Sequence, residues 1–458
     1  MDSRQQRHIG RRAVLGAAAG AFAALVAACS GPDGDTTFRP ARTATAPRGG
    51  GVGTPNVVEN PTEPPIVGTP IGTIFPTPKR GAPVPDFLRM VGLAPNGMDA
   101  AGGLLTFLDH WKGYLSFANL GEVKRLYGYE KVRAFTDLAA QNIAVADYTN
   151  ATAGCYLTEF VGLRYAQGQY RDAFGYDVLL VDREISVGQP IEYLSRMEGT
   201  FDADGVVGKL QAGGYTIADH NGVAYYTVRG DGEQNFSDPR SRLALGRMNR
   251  VAVDTERIIA APKTALIAAA LDAEARRTTT LEATAAIRAL VTVLGTVTSM
   301  ATIPPGASDV VESVLQSGQL AAMTSGWEPL HPAELSAIGY TDAGNFQRTM
   351  HVALVYTKPA DAAADAPELV KRITGYRSLR SRQPLLPTYA TAVTSRTATV
   401  AGKGVLVADV VLAPDPPRAR FWIDLFLSRD TLFLVPQPLS IVGTPPARGS
   451  AVSGTPRP

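Results

Sequence analysis

The residues that could do chemistry are few, and they are spread along the chain. There are two cysteines, Cys29 and Cys155. A nucleophilic thiol wants a base beside it, and Ala153-Gly154-Cys155-Tyr156-Leu157 offers none, so Cys155 reads as a buried, inert thiol. His110, His220, His331 and His351 include no pair at metal-ligand spacing. Only Asp109-His110-Trp111 sets a carboxylate and an aromatic ring beside a histidine, and it reads as a helix-surface residue. The chain has no Gly-x-Ser-x-Gly elbow, no His-Glu-x-x-His helix and no phosphate-binding loop. Gly205-Val206-Val207-Gly208-Lys209 lacks the spacing and the hydroxyl of such a loop. Asp202-Ala203-Asp204-Gly205 resembles the start of a calcium loop but has no downstream glutamate at the required spacing, so Asp202 reads as a helix cap. Arg229-Gly230-Asp231-Gly232 reads as a turn. Tyr165, Tyr170, Tyr176, Tyr193, Tyr225 and Tyr226 would suit a ligand platform if exposed, but such residues more often belong to a core. No catalytic, cofactor-binding or metal-ligating residue is assigned.

One position does carry a chemical expectation. Arg4, Arg7, Arg11 and Arg12 precede an uncharged run, Ala13 to Ala28, that ends in Leu25-Val26-Ala27-Ala28-Cys29. A basic start, an apolar middle and small residues before a cut describe an export signal. Val26-Ala27-Ala28-Cys29 resembles the lipobox of bacterial lipoproteins, with Val26 where leucine is more usual. Membership of that group implies cleavage before Cys29, diacylation of its sulfur and removal of residues 1–28. Gly10-Arg11-Arg12-Ala13-Val14-Leu15-Gly16 resembles a twin-arginine export signal, with Val14 in the place of the usual phenylalanine. The alternative, an uncleaved anchor helix, needs roughly 20 apolar residues, more than this Ala- and Gly-rich run supplies. The expected location is the extracytoplasmic face of a bacterial membrane, held there by lipid.

The chain has 458 residues, 45% of them hydrophobic and 19% charged, with a net charge of +2. Its first 28 residues hold four arginines against Asp2, so the remainder is close to neutral. Such a balance gives no field to attract nucleic acid. With Cys29 acylated, no intrachain disulfide is possible, and the exported part must be held by its core. Residues 29–84 are rich in Pro, Gly and Thr and poor in large apolar residues, which predicts a semi-extended tether. Residues 439–458 repeat that composition and are expected to be a disordered tail.

Between these lies enough sequence for an N-terminal subdomain, 85–245, and a C-terminal one, 246–438. Gly-Tyr pairs recur at Gly128, Gly175, Gly214, Gly339 and Gly375, each expected to close a helix and open a strand. The clearest unit is a strand at Ser195 to Phe201, a helix capped by Asp202, a strand at Tyr215 to Asp219, a turn at His220-Asn221-Gly222 and a strand at Val223 to Val228. That β-α-β-β order suggests a ferredoxin-like unit. Val123-Lys124-Arg125 and Val370-Lys371-Arg372, each followed by Gly-Tyr, suggest an internal duplication. Tyr114 to Phe117 and His351 to Tyr356 read as strands and Arg247 to Ile258 as a hairpin. Thr264 to Arg277, Leu281 to Leu294 and Asp309 to Gln316 read as helices. Thr397 to Ala401 with Gly404 to Leu412 reads as a second hairpin, and Thr431 to Val435 as a last strand. Phe421, Trp422, Leu425 and Phe426 read as core. The predicted fold class is α+β, with antiparallel sheets in two subdomains and helices packed on one face.

Tether, near-neutral charge and missing motifs together predict a non-catalytic binding or interaction module of the cell envelope. Its partners would be the membrane, through the lipid anchor, and an envelope protein or ligand. A structural envelope protein and a hydrolase with a scattered active site are the alternatives.

Overall fold

The computed structural model describes residues 86–94, 115–155, 157, 168–189, 192–303, 323–414, 420–428 and 430–436. Cys29, the tether, the tail, His110, Tyr165 and the helix expected at Asp309 to Gln316 lie outside them. The expected α+β class with antiparallel strands is found. The strands are β1 (Leu115–Asn119), β2 (Val181–Gln189), β3 (Glu192–Gly199), β4 (Thr216–His220), β5 (Val223–Thr227), β6 (Arg250–Val253), β7 (Arg257–Ala261), β8 (Ser299–Ile303), β9 (Leu335–Asp342), β10 (Arg348–Tyr356), β11 (Ala390–Val400) and β12 (Lys403–Leu412). They join into a single sheet in the order β11-β12-β10-β9-β8-β1-β2-β3-β7-β6-β5-β4.

The ladder between β1 and β8 links the strands on either side of the 245/246 boundary: Ser116 faces Ala301 and Phe117 faces Met300. Two further crossings are β3 against β7, with Ser195 opposite Ala260, and β5 against β6, with Tyr226 opposite Val251. The β-α-β-β order of β3 to β5 is present along the chain, but β6 and β7 lie between β3 and β5 in the sheet.

The described helices are α1 (Asp86–Val91), α2 (Leu120–Tyr127), α3 (Phe135–Ala140), α4 (Val145–Thr152), α5 (Gln169–Phe174), α6 (Ala203–Ala212), α7 (Pro239–Ala244), α8 (Thr264–Glu274), α9 (Ala285–Leu294), α10 (Pro359–Thr374) and α11 (Phe421–Leu427). Strand residues alternate between two faces, and here both faces are apolar. On one, Ile338, Val352, Leu406 and Ala408 pack with Leu369 of α10 and Trp422 of α11, and Ala118 and Met197 pack with α2, α5 and α6. On the other, Phe117, Ile185, Met300 and Val407 pack with Met90 of α1 and Leu290 of α9, and Ile259 packs with Ile267 of α8. Helices therefore cover both faces, a correction to the one-sided packing expected. The reason is visible in β1, β10 and β12, which read as near-continuous apolar runs because neither side meets water.

Local signals account for several elements. Asp202 caps α6, its Oδ1 accepting from the Gly205 N–H at 3.0 Å. Asn119 caps α2 by accepting from the Glu122 N–H at 3.0 Å. Gly128 ends α2 in the left-handed conformation, φ 72°. Gly339 departs from the pattern: it lies inside β9, where its missing side chain lets Met300 approach. Thr431 to Val435 is likewise no strand; Leu432–Leu434 form a 3-10 turn that buries all three side chains. Both Val-Lys-Arg segments lie in a helix that follows a strand and ends at Gly-Tyr, α2 after β1 and α10 after β10. Lys124 is buried where its counterpart Lys371 is exposed.

Candidate functional site

Most buried charges are spent on the fold. Asp342 accepts from Tyr340 Oη at 2.9 Å, Tyr127 Oη at 3.0 Å, the Gly344 N–H at 2.9 Å and Arg348 Nε at 3.0 Å. Lys124 Nζ donates to Leu179 O at 2.6 Å, Val181 O at 3.2 Å and Asp182 Oδ1 at 2.9 Å. Burial lowers its pKa against the opposing pull of Asp182. Asp430 accepts from Tyr376 Oη, from Ser378 Oγ at 2.6 Å and from the Leu379 N–H at 3.0 Å. A buried charge satisfied this fully positions chain segments and leaves nothing free for a substrate.

The residues singled out in the sequence resolve in the same direction. Burial pushes the Cys155 thiol up to about 12, against the opposing pull of the Lys124 charge. His220 pairs with Asp272 at 3.1 Å. His331 Nδ1 meets Asp365 at 2.7 Å, tying the chain ahead of β9 to α10. Asp231 of the Arg-Gly-Asp turn accepts from the Thr264 N–H at 2.8 Å and from Arg250 at 2.6 Å, so it caps α8. Tyr170, Tyr176 and Tyr225 are buried, and Tyr193 and Tyr226 pack against cores. Among the described residues these tyrosines make no platform, and no group of histidine, cysteine and carboxylates could hold a metal ion.

One network runs across strands. Thr341 Oγ1 lies 2.8 Å from His351 Nε2, and His351 Nδ1 lies 2.6 Å from Asp409 Oδ1. Arg396 Nε donates to Asp409 Oδ2 at 2.7 Å, and Arg396 Nη1 donates to Val293 O at 3.1 Å. The chain of contacts passes from β9 through β10 and β12 to the edge strand β11, and ends at the last turn of α9. An ionised carboxylate only accepts, so His351 donates from Nδ1 to Asp409. Burial raises the Asp409 pKa, but the hydrogen bond and charge of His351 and those of Arg396 outweigh it and hold the carboxyl below its usual range.

Hydroxyl, imidazole and carboxylate in this order are the parts of a nucleophilic hydrolase. The environment is wrong for that use. The Asp342 N–H beside Thr341 is committed to Thr298 Oγ1 at 2.9 Å, and β10 is hydrogen-bonded to a neighbour on each side. The network is a clamp on the sheet.

What it clamps is unusual. β11 spans Ala390–Val400, ATAVTSRTATV, and among the described residues no strand pairs with its outer side. Long bare edges are normally blunted with charge, proline or bulges. Here the one charge, Arg396, is turned inward to Asp409 and Val293, and the register irregularity sits at the very start, between Ala390 and Ala392. The opposite edge, β4, is five residues long and carries Asp219 and His220. Outward groups on β11 follow from its hairpin. Ala401 (φ 49°) and Gly402 (φ 77°) make a two-residue turn between Val400 and Lys403, a geometry that makes those two a hydrogen-bonded pair. Even-numbered residues from Ala392 to Val400 thus turn their backbone groups toward β12. Val393, Ser395, Thr397 and Thr399 turn theirs outward.

No family model, no curated protein and no solved structure matches this chain.

Proposed function

We propose that the chain is an exported, lipid-tethered protein of the cell envelope whose folded part is a binding module, with β11 as its docking edge. The observation that carries this is β11 itself: a long edge with outward donors and acceptors, its one charge, Arg396, turned inward to Asp409 and Val293. Such an edge takes up an extended segment by adding it as another strand, main-chain bonds supplying affinity and alternate side chains supplying specificity. The tether reading rests on the lipobox-like Val26-Ala27-Ala28-Cys29 and on the Pro/Gly/Thr-rich residues 29–84. Two acyl chains would anchor the protein stably. Among the described residues no helix is long and apolar enough to cross a membrane.

Two measurements test it. Intact mass of membrane-extracted protein should match residues 29–458 plus acyl chains, and Cys29→Ala should abolish the added mass. An unacylated wild type removes the tether. A photo-crosslinking amino acid at Thr397, introduced in the native membrane, should give a covalent protein adduct that Ser395→Pro suppresses; if no adduct forms, the docking edge is wrong.

A further inference from the structure

The connection between β8 and β9 is far longer than the fold needs. The two strands are antiparallel neighbours, with Ile303 opposite Ser336, and such a pair can be joined by a two-residue turn. Residues 304–334 intervene instead, and connections longer than about 12–15 residues usually carry a function. The described end of this one runs along α10, opposite to the helix direction, and is gripped by side chains. Lys371 Nζ donates to Gly326 O at 2.5 Å, Arg372 donates to Glu328 O, and Glu368 accepts from the Glu328 N–H at 2.8 Å. Asp365 accepts from the His331 N–H and meets His331 Nδ1, both at 2.7 Å. Asp361 lies 3.9 Å from His331 Nε2. These side chains follow one another along one flank of the helix. The Trp327 ring sits 5.0 Å from the Arg372 guanidinium, and Leu330 is buried.

We propose that residues 326–334 form a pH-sensitive strap, closed on α10 while His331 is protonated and released when it is not, the sheet beneath staying folded. Asp361 and Asp365 face His331 from α10, Lys358 acts on it from the chain just before the helix, and Tyr356 of β10 shares Asp365. The hydrogen bond and charge of Asp365, then the charge of Asp361, raise the His331 pKa against the opposing charge of Lys358. Burial, then the charge of Asp365, push the Tyr356 phenol up, so it does not titrate with His331. A histidine whose pKa is raised by closure stabilises the closed form fully below its free value, roughly 6.5, and that contribution is lost as pH rises through the raised one. The neutral ring can still donate one hydrogen bond to Asp365, but it attracts neither carboxylate. Release returns water to Asp365 and Arg372, which are buried under the closed strap, and rehydration of such charges favours the open form. Trp327 and Leu330 oppose release through their apolar contacts. The ladders of β9 with β8 and β10 start beyond the strap and do not depend on it.

The test is amide hydrogen exchange of the full chain carrying Cys29→Ser, read by mass spectrometry from about pH 5.5 to 8.5, the range over which a histidine switches, and corrected for intrinsic exchange rates. Protection of 326–334 should fall several-fold as pH rises, with a midpoint above roughly 6.5, while β9 and β10 keep theirs. His331→Gln keeps a donor but carries no charge, so its strap should be as open at low pH as the wild-type strap is above the midpoint. His331→Glu sets a third carboxylate beside Asp361 and Asp365 and should open the strap further. Position 331 is exposed, and unchanged protection of β9 and β10 in each variant shows that the fold is intact. Strap protection independent of pH, a pH dependence that persists in His331→Gln, or a strap that exchanges together with β9 overturns the proposal.

Discussion

At the scale of single residues, the relay makes a prediction about Asp409. Asp409→Asn keeps the shape but removes the charge that organises His351 and Arg396. Hydrogen bonds to charged groups contribute more than neutral ones, and the Arg396 guanidinium would face a weaker acceptor, so the expected cost is about 1–3 kcal/mol at pH 7. The pH dependence follows from the depressed pKa. An unfolded aspartate titrates near roughly 3.9. A group depressed on folding contributes fully above that value, and its contribution is lost as pH falls through the folded one. Urea unfolding of wild type and Asp409→Asn should therefore differ at pH 7, with the gap closing as pH drops below about 4. A gap constant across that range would mean the carboxylate is not ionised in the clamp.

Elements meet where glycines permit it, and two glycines separate packing from propensity. Gly154 follows α4, and its carbonyl accepts from the Trp422 indole at 3.0 Å. A Cβ there would lie 2.3 Å from the Tyr340 ring. Gly154→Ala must push α4 away from β9 and α11 and should cost about 2–3 kcal/mol. Gly208, inside α6, has open space around its Cβ position, so Gly208→Ala should stabilise by roughly 0.5–1 kcal/mol through helix propensity alone. Thermal melts of the two variants should move in opposite directions. The same contrast shows what the sequence could reveal. α6, β4 and β5 were legible because a cap, a stop and a turn are local signals. β11 was read only from Thr397 onward: Ala390 to Arg396 alternates small polar and apolar groups and marks no face. Thr431 to Val435 has strand-like composition, yet Asp430 anchors it in a buried turn. The clamp was illegible because Thr341, His351, Asp409 and Arg396 become neighbours only through the strand order, and no spacing along the chain encodes that.

At the scale of the whole molecule, the question is whether one sheet behaves as one cooperative unit. The described residues all belong to the unit Gly68–Pro458. Three ladders cross the 245/246 boundary, β1–β8, β3–β7 and β5–β6, and side chains along the first two, Phe117 with Met300 and Met197 with Ile258, are buried in shared cores. Separating the halves would strip β1, β8, β3, β7, β5 and β6 of one neighbour each and expose those cores, so unfolding one half alone is costly. Leu210 of α6 is fully buried on the β2–β7 side, and Leu210→Ala should cost about 2–5 kcal/mol. Trp327, beside Arg372 of α10, reports from the other side of the boundary once Trp111 and Trp422 are replaced by Phe. In that background, Leu210→Ala should move the tryptophan fluorescence transition and the circular dichroism transition to the same lower midpoint. A fluorescence midpoint left in place while dichroism shifts would show that the halves unfold separately, and the β1–β8 ladder would then be a contact between domains.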